Sequence, residues 1–123
     1  YEIPPNGIEF LSRIAPVLAQ VACSRREKLS SIVVEGHADR SGSDELNLKL
    51  SQERSAEVAK ESLKVLDVGQ RDCFLALLSA SGRGNREPYF MPRENDRTPP
   101  VEDPERSRRV VFKIRVQSFE QRK

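Results

Sequence analysis

Ser31-Ile32-Val33-Val34-Glu35-Gly36 is a short β-branched run closed by glycine, and its near-continuous apolar centre is that of a strand buried on both faces. Upstream, Leu11, Ile14, Ala15, Leu18, Val21 and Ala22 recur at helical spacing between Asn6 and Ala22, after the start signal Pro4-Pro5-Asn6-Gly7. Pro16 lies inside that stretch, where it removes a backbone hydrogen bond and is expected to bend the axis. Downstream, the polar loop His37 to Ser43 leads into a second helical stretch with Val58, Ala59, Ser62, Leu63 and Leu66 on one face. Ser51 is the expected N-cap of that helix, with Gln52, Glu53 and Arg54 in its first turn. Phe74-Leu75-Ala76-Leu77-Leu78-Ser79-Ala80 reads as another buried strand. Arg109 to Val116 alternates, with Val110, Phe112, Ile114 and Val116 facing one way and Lys113 and Arg115 the other, as in a strand with one wet face. Strand, crossover helix and strand make a right-handed parallel unit, and the alternating last strand fits at its edge. The fold class is therefore α/β, an α+β sandwich with helices packed on a small mixed β-sheet.

The chain has 123 residues, enough for one domain, 1–123, and too few for two. At 37% hydrophobic and 33% charged it is poorer in apolar and richer in charged residues than usual, yet able to fold around a modest core. No stretch approaches the ~20 apolar residues of a membrane span, and there is no signal peptide. The chain opens on Tyr1 and its only methionine is Met91, so it is expected to be a piece of a longer protein, and the missing targeting signal says nothing of compartment. A net charge of +2 is too mild to argue for nucleic acid. The basic residues are uneven, however: Arg106, Arg108, Arg109, Lys113, Arg115, Arg122 and Lys123 face only Asp103, Glu105 and Glu120 after residue 102. Cys23 and Cys73 lie far apart, with no CxxC and no neighbouring histidine, which excludes a zinc finger or a thioredoxin-type motif. They are expected to be reduced, buried thiols, a disulfide in an oxidising compartment being the alternative. The irregular stretch from Ser81 to Ser107, rich in proline and glycine, predicts a long mobile loop over residues 84–107.

Asp39 follows a buried strand at its C-terminal end, where open α/β sheets place their ligand crevices. Arg54 shares a helix row with Val58 and Ser62, so its head is expected at the rim of the core. Two readings of the pair stand side by side. The carboxylate and guanidinium border one cleft and grip a zwitterion, ammonium to Asp39 and carboxylate to Arg54, or they form a plain salt bridge that caps the helix. His37-x-Asp39 is half of a metal motif, but this is the only histidine and the remaining ligands are missing, so no metal is expected. Asp39 and Asp44 share a polar loop with no apolar pocket to raise either pKa, which argues against glycoside hydrolysis. Glu35 is expected on a solvated or salt-bridged strand face. Nothing suggests a nucleophile, an enzyme or a cofactor.

The run Ile32-Val33-Val34-Glu35-Gly36-His37-Ala38-Asp39-Arg40-Ser41-Gly42-Ser43-Asp44, with Asn47 and then Leu50-Ser51-Gln52-Glu53-Arg54-Ser55-Ala56, resembles the signature of the OmpA-like peptidoglycan-binding domain. Ser81-Gly82-Arg83-Gly84-Asn85-Arg86-Glu87-Pro88 and Arg108-Arg109-Val110 match the same family, so the resemblance covers most of the chain from Asn6 to Val116 in three ordered blocks. It implies a βαβαβ-type core. It also implies that Asp39 and Arg54 hold the diaminopimelate of the wall stem peptide, with Asn47, Arg108 and Arg109 supporting the site. Ala38 stands where the family usually has threonine, leaving its backbone amide as the available donor, and Ser55 replaces a usual alanine. The family's opening strand is represented only by Tyr1-Glu2-Ile3, and the segment from Glu87 to Ser107 is longer than in the shortest relatives.

The resemblance further implies a cell-envelope protein whose domain faces the periplasm and whose membrane anchor lies outside this stretch. That anchor would be an outer-membrane barrel, a lipoprotein, or an inner-membrane stator of the flagellar-motor or anti-phage kind, the last implying a homodimer. Two rivals come from other classes. A nucleic-acid module would use Arg106, Arg108, Arg109, Lys113 and Arg115 on a sheet face, but Phe112 lies on the opposite side of the strand from Lys113 and Arg115, so the stacking aromatics of such a face are missing. A cell-wall hydrolase would share the ligand but needs an acid and a base, or a metal.

Overall fold

A computed structural model of the protein describes residues 2–117. Glu120, Arg122 and Lys123 of the basic tail lie outside the described residues, as does Tyr1. Helix α1 (Pro5–Ser24) starts with proline, whose fixed φ suits a first helical position. It buries Leu11, Ala15, Leu18, Ala19 and Ala22, and it runs unbroken through Pro16. A short 3-10 turn, Arg26–Lys28, leads to β1 (Leu29–Gly36).

Strand β1 is the centre of a three-stranded sheet of order β2-β1-β3. β2 (Leu78–Gly82) pairs with it in parallel, Ile32 opposite Leu78 and Gly36 opposite Gly82. β3 (Val110–Val116) pairs antiparallel on the other side, Ile32 opposite Ile114 and Gly36 opposite Val110. The mixed sheet and the edge position of the alternating strand agree with the sequence reading. The sheet face carrying Ile32, Val34 and Phe112 meets the helices. One core group gathers Leu18, Ala22, Ile32 and Phe74, and a second gathers Leu11, Val34, Val58 and Ala59.

Three expectations are corrected. Helix α2 (Asp44–Lys64) begins at the N-cap Ser43, whose hydroxyl accepts the Leu46 N–H at 3.1 Å, and not at Ser51. Its first half buries Asn47, Ser51 and Ser55, so its inward face is written in small polar residues that an apolar count misses. Residues 74–77 are helical: α3 (Val68–Leu77) is capped by Asp67, whose carboxylate accepts the Gln70 N–H at 2.8 Å. Cys73, Phe74 and Leu77 fall on one helical face against α1, and the strand starts only at Leu78. A continuous apolar run fits a buried strand or a buried helix alike, and here the cap decides.

The third correction concerns the cysteines. Cys23 and Cys73 form a disulfide, with Cα atoms 5.1 Å apart, joining the last turn of α1 to α3. Cys23 is exposed and Cys73 half-buried, so neither is the buried thiol expected.

α2 lies very close over the strand ends. A Cβ on Gly36 would overlap the Ser51 carbonyl, and one on Gly82 would sit 2.5 Å from the Gln52 nitrogen. The two glycines and the serines of α2 together let a helix backbone touch a sheet backbone, which sets where Arg54 stands. The irregular segment is also more structured than its prolines suggest. Phe90 bridges Glu102, and the Met91 N–H reaches the Val101 carbonyl at 2.8 Å, making a short antiparallel hairpin, before a four-residue helix α4 (Pro104–Ser107). No helix among the described residues is long and apolar enough to cross a membrane.

Candidate functional site

The loop between β1 and α2 is pinned before it opens. The His37 N–H donates to the Arg109 carbonyl at 2.9 Å and the Ala38 N–H to the Gly84 carbonyl at 2.8 Å. The Ala38 amide, expected to be available to a ligand, is therefore spent inside the fold. Beyond it the loop turns away from the sheet and encloses, with the first turns of α2, a cavity of about 300 Å³. Ala38, Asp39, Asn47, Arg54 and Arg108 line it, with Leu46 and Leu50 as apolar wall. Five of the six residues singled out from the sequence thus share one cavity.

Arg109 is the exception. Its guanidinium donates to the Glu87 carbonyl at 3.0 Å and the Ser107 carbonyl at 3.2 Å, so it braces the chain behind the cavity. It does line a second cavity of about 510 Å³, which Arg54 and Arg108 also border and which Phe10, Leu11 and Val58 floor.

Asp39 is buried at 7% exposure and heavily partnered. One carboxylate oxygen accepts the Ser41 N–H at 2.8 Å and the Ser41 hydroxyl; the other accepts Arg108 at 2.5 Å. The Ser41 hydroxyl, against the opposing effect of burial and with help from Arg108, holds the Asp39 carboxyl below its ordinary pKa. Arg54 is half-buried in the third turn of α2 and donates to the His37 carbonyl at 3.3 Å. Asn47 is 3% exposed, and its Nδ2 has no hydrogen-bond partner within the protein.

The sequence reading gave no role to Ser41, although Ser41 two residues after an aspartate is the ordinary geometry of a side-chain turn. It also placed Arg108 only in support, whereas Arg108 touches Asp39 directly. Glu35 is salt-bridged but not solvated: it is 5% exposed, 2.9 Å from the Lys113 ammonium and 2.9 Å from His37 Nε2. Burial alone would raise the Glu35 pKa, but Lys113 and His37 bring it below the ordinary value. Burial, with the Arg109 charge, lowers that of His37, which is neutral at pH 7.

Glu35, His37 and Glu87 bring ligand-type atoms within 4.8 Å of one another. Lys113 sits on Glu35 and Arg83 on Glu87, the latter at 2.9 Å, so the group carries its own cations and a divalent ion would meet their repulsion.

A family model described as the OmpA family matches residues 1–99. No curated protein matches the chain. Among solved structures, the periplasmic domain of MotB from Helicobacter pylori superposes with a TM-score of 0.64 at 17% identity, covering 94% of this chain and 66% of that one. A C-terminal domain of the same MotB gives 0.60 at 17% identity, covering 97% and 77%. The peptidoglycan-associated lipoprotein from Burkholderia pseudomallei gives 0.55 at 19% identity, covering 86% and 76%. At such identities the likeness is one of fold, and the chain spans just under two-thirds of the longer MotB domain.

Proposed function

The chain belongs to the OmpA family, and from that premise we propose that it is a non-catalytic periplasmic module that holds peptidoglycan through the diaminopimelate of the stem peptide. Asp39 takes the ligand ammonium and Arg54 its carboxylate. Asn47 and Ala38 line the wall beside them, Arg108 orients Asp39, and Arg109 braces the loop. The observation that carries this reading is the cavity of about 300 Å³ that the Asp39 carboxylate and the Arg54 guanidinium line together.

The free end of diaminopimelate bears an ammonium and a carboxylate on one carbon, whereas lysine in the same position offers the ammonium alone. A charge-assisted contact of this kind is worth roughly 1.5–3 kcal/mol, or about one to two decades of affinity. The module thereby ties a membrane-anchored parent protein to the wall. The nucleic-acid reading is weakened by the commitments of its basic residues: Lys113 to Glu35, Arg108 to Asp39, Arg109 to two carbonyls and Arg106 to Asp103.

Co-sedimentation with purified sacculi tests the assignment. Asp39→Ala and Arg54→Ala are each expected to abolish pull-down while remaining folded at the assay temperature, Asp39→Ala with a lowered melting point because Ser41 and Arg108 lose their partner, and wild type is expected to prefer a diaminopimelate wall over a lysine-type wall. Unchanged binding by the folded variants, or equal binding to both walls, refutes it.

A further inference from the structure

The hairpin spanning residues 89–103 has no part in the core, yet it is fastened to the cavity at two places. The Arg40 N–H, next in chain to Asp39, donates to a Glu102 carboxylate oxygen at 3.2 Å. Ser107, next to Arg108, donates to the other Glu102 oxygen at 2.8 Å and accepts the Tyr89 N–H at 2.9 Å. Any ligand that lies on Asp39 and Arg108 therefore has this hairpin as its neighbour.

The hairpin presents aromatic rings to solvent. Tyr89 is 41% and Phe90 40% exposed, with Met91 beside them at 43%. Each ring is backed on one side by a guanidinium: Arg40 lies 5.2 Å from the Phe90 centroid and Arg106 5.5 Å from that of Tyr89. A cation over a ring face is an attractive contact that fixes the ring's orientation. Tyr89 and Phe90 are neighbours in an extended strand and so point to opposite faces; Phe90, on the face of its bridge partner Glu102 and of Arg40, is the ring next to the cavity, with Arg40 and Glu102 as polar groups at its edge.

We propose that Phe90 forms a stacking platform for a hexose ring, receiving a saccharide of the glycan strand that carries the stem peptide. The proposal rests on the reading given under Proposed function. A pyranose face presents C–H groups of partial positive charge, which complement the negative face of an aromatic ring, while its hydroxyl and acetamido groups need the donors and acceptors found at the ring edges. A protein partner fits less well, because a stable protein interface covers about 800 Å² per side with an apolar centre, and this patch is small and interrupted by Arg40, Arg106 and Glu102.

Calorimetry with three soluble probes tests it: a stem tripeptide ending in diaminopimelate, the same tripeptide on its disaccharide, and the peptide-free disaccharide. Wild type is expected to bind the disaccharide-tripeptide about three- to tenfold more tightly than the bare tripeptide. Phe90→Ala, and Phe90→Leu, which keeps apolar bulk without the ring, are expected to lose that gain while leaving tripeptide affinity unchanged. Equal affinity of wild type for the two peptides overturns the platform, as does a gain that survives in Phe90→Ala. Absence of tripeptide binding in wild type refutes instead the peptide site, and weak binding of the bare disaccharide that Phe90→Ala removes then still supports the platform.

Discussion

The disulfide is the strongest single constraint on this fold, and its removal has a calculable effect. Cys23 and Cys73 are separated by 50 positions, and the loop they close contains β1, the β1–α2 loop and α2. In the chain-entropy description, closing a loop of that length removes about 14 cal/mol/K from the unfolded ensemble, or about 4 kcal/mol at 25 °C. For 123 residues, the entropy of unfolding is about 0.26 kcal/mol/K, so the melting temperature is expected to fall by about 15 °C on reduction. A loss of that size is a large part of an ordinary domain's stability but short of all of it. The reduced protein is expected to stay folded at 25 °C, because α1 and α3 still bury Leu18, Ala22 and Phe74 against each other. Cys23 is exposed, so a phosphine reductant reaches the bond without prior unfolding. The assay is a pair of melts and urea curves, oxidised against reduced, with Cys23→Ser/Cys73→Ser as the non-titrating control. The entropic origin adds a signature: the reduced unfolded chain is more open, so its urea slope is expected to rise. A melting shift below 3 °C, or two free thiols by mass in the native protein, refutes the reasoning.

Acid is expected to act in two stages, seen as two slopes in urea stability against pH. The folded pKa of His37 lies below its unfolded value of 6.5, so its contribution is present above pH 6.5 and is lost as pH falls below that; His37→Gln is expected to remove this upper slope alone. Asp39, Glu35 and Glu87 are held below 3.8, 4.5 and 4.5, so theirs is present above those values and lost as pH falls through the lower folded ones. Gly36→Ala drives a Cβ into the Ser51 backbone and is expected to cost about 1–3 kcal/mol in urea unfolding, while an unchanged midpoint shows that α2 moves freely. Backbone order parameters are expected to dip between residues 92 and 100 and to recover at Gly84 and Ser107, both buried and hydrogen-bonded; uniform values contradict a mobile loop.

Which elements were legible follows from where their information lies. β1 and β3 carry theirs in side chains of β-branched and alternating type, and both were readable to within two residues. The start of α2 carries its own in Ser43, Asp44 and Glu45, a cap followed by first-turn acids, and that signal was present but outweighed by the attraction of Ser51. The helical state of residues 74–77 depends on Asp67, seven residues before Phe74, because the apolar run alone has no period to decide it. The disulfide is a tertiary fact: nothing local brings Cys23 to Cys73, only the packing of α1 on α3.

The cavity divides in the same way. Asp39, Asn47 and Arg54 belong to one loop and the helix after it, so spacing alone brings them to one wall. Arg108 is 69 residues from Asp39, and no local pattern joins them. Their meeting follows from the sheet. An antiparallel edge strand begins where its neighbour ends, and the register Gly36 opposite Val110 sets residues 37–39 beside 108–109. The arginine pair before the last strand therefore stands at the mouth of the β1–α2 loop by topology, one arginine on the Asp39 carboxylate and the other on the backbone behind it. The consequence for the proposed binding is preorganisation. Asp39 is ionised at neutral pH and already oriented by Ser41 and Arg108, so an arriving ammonium need not order the carboxylate, and that ordering cost is not subtracted from the affinity.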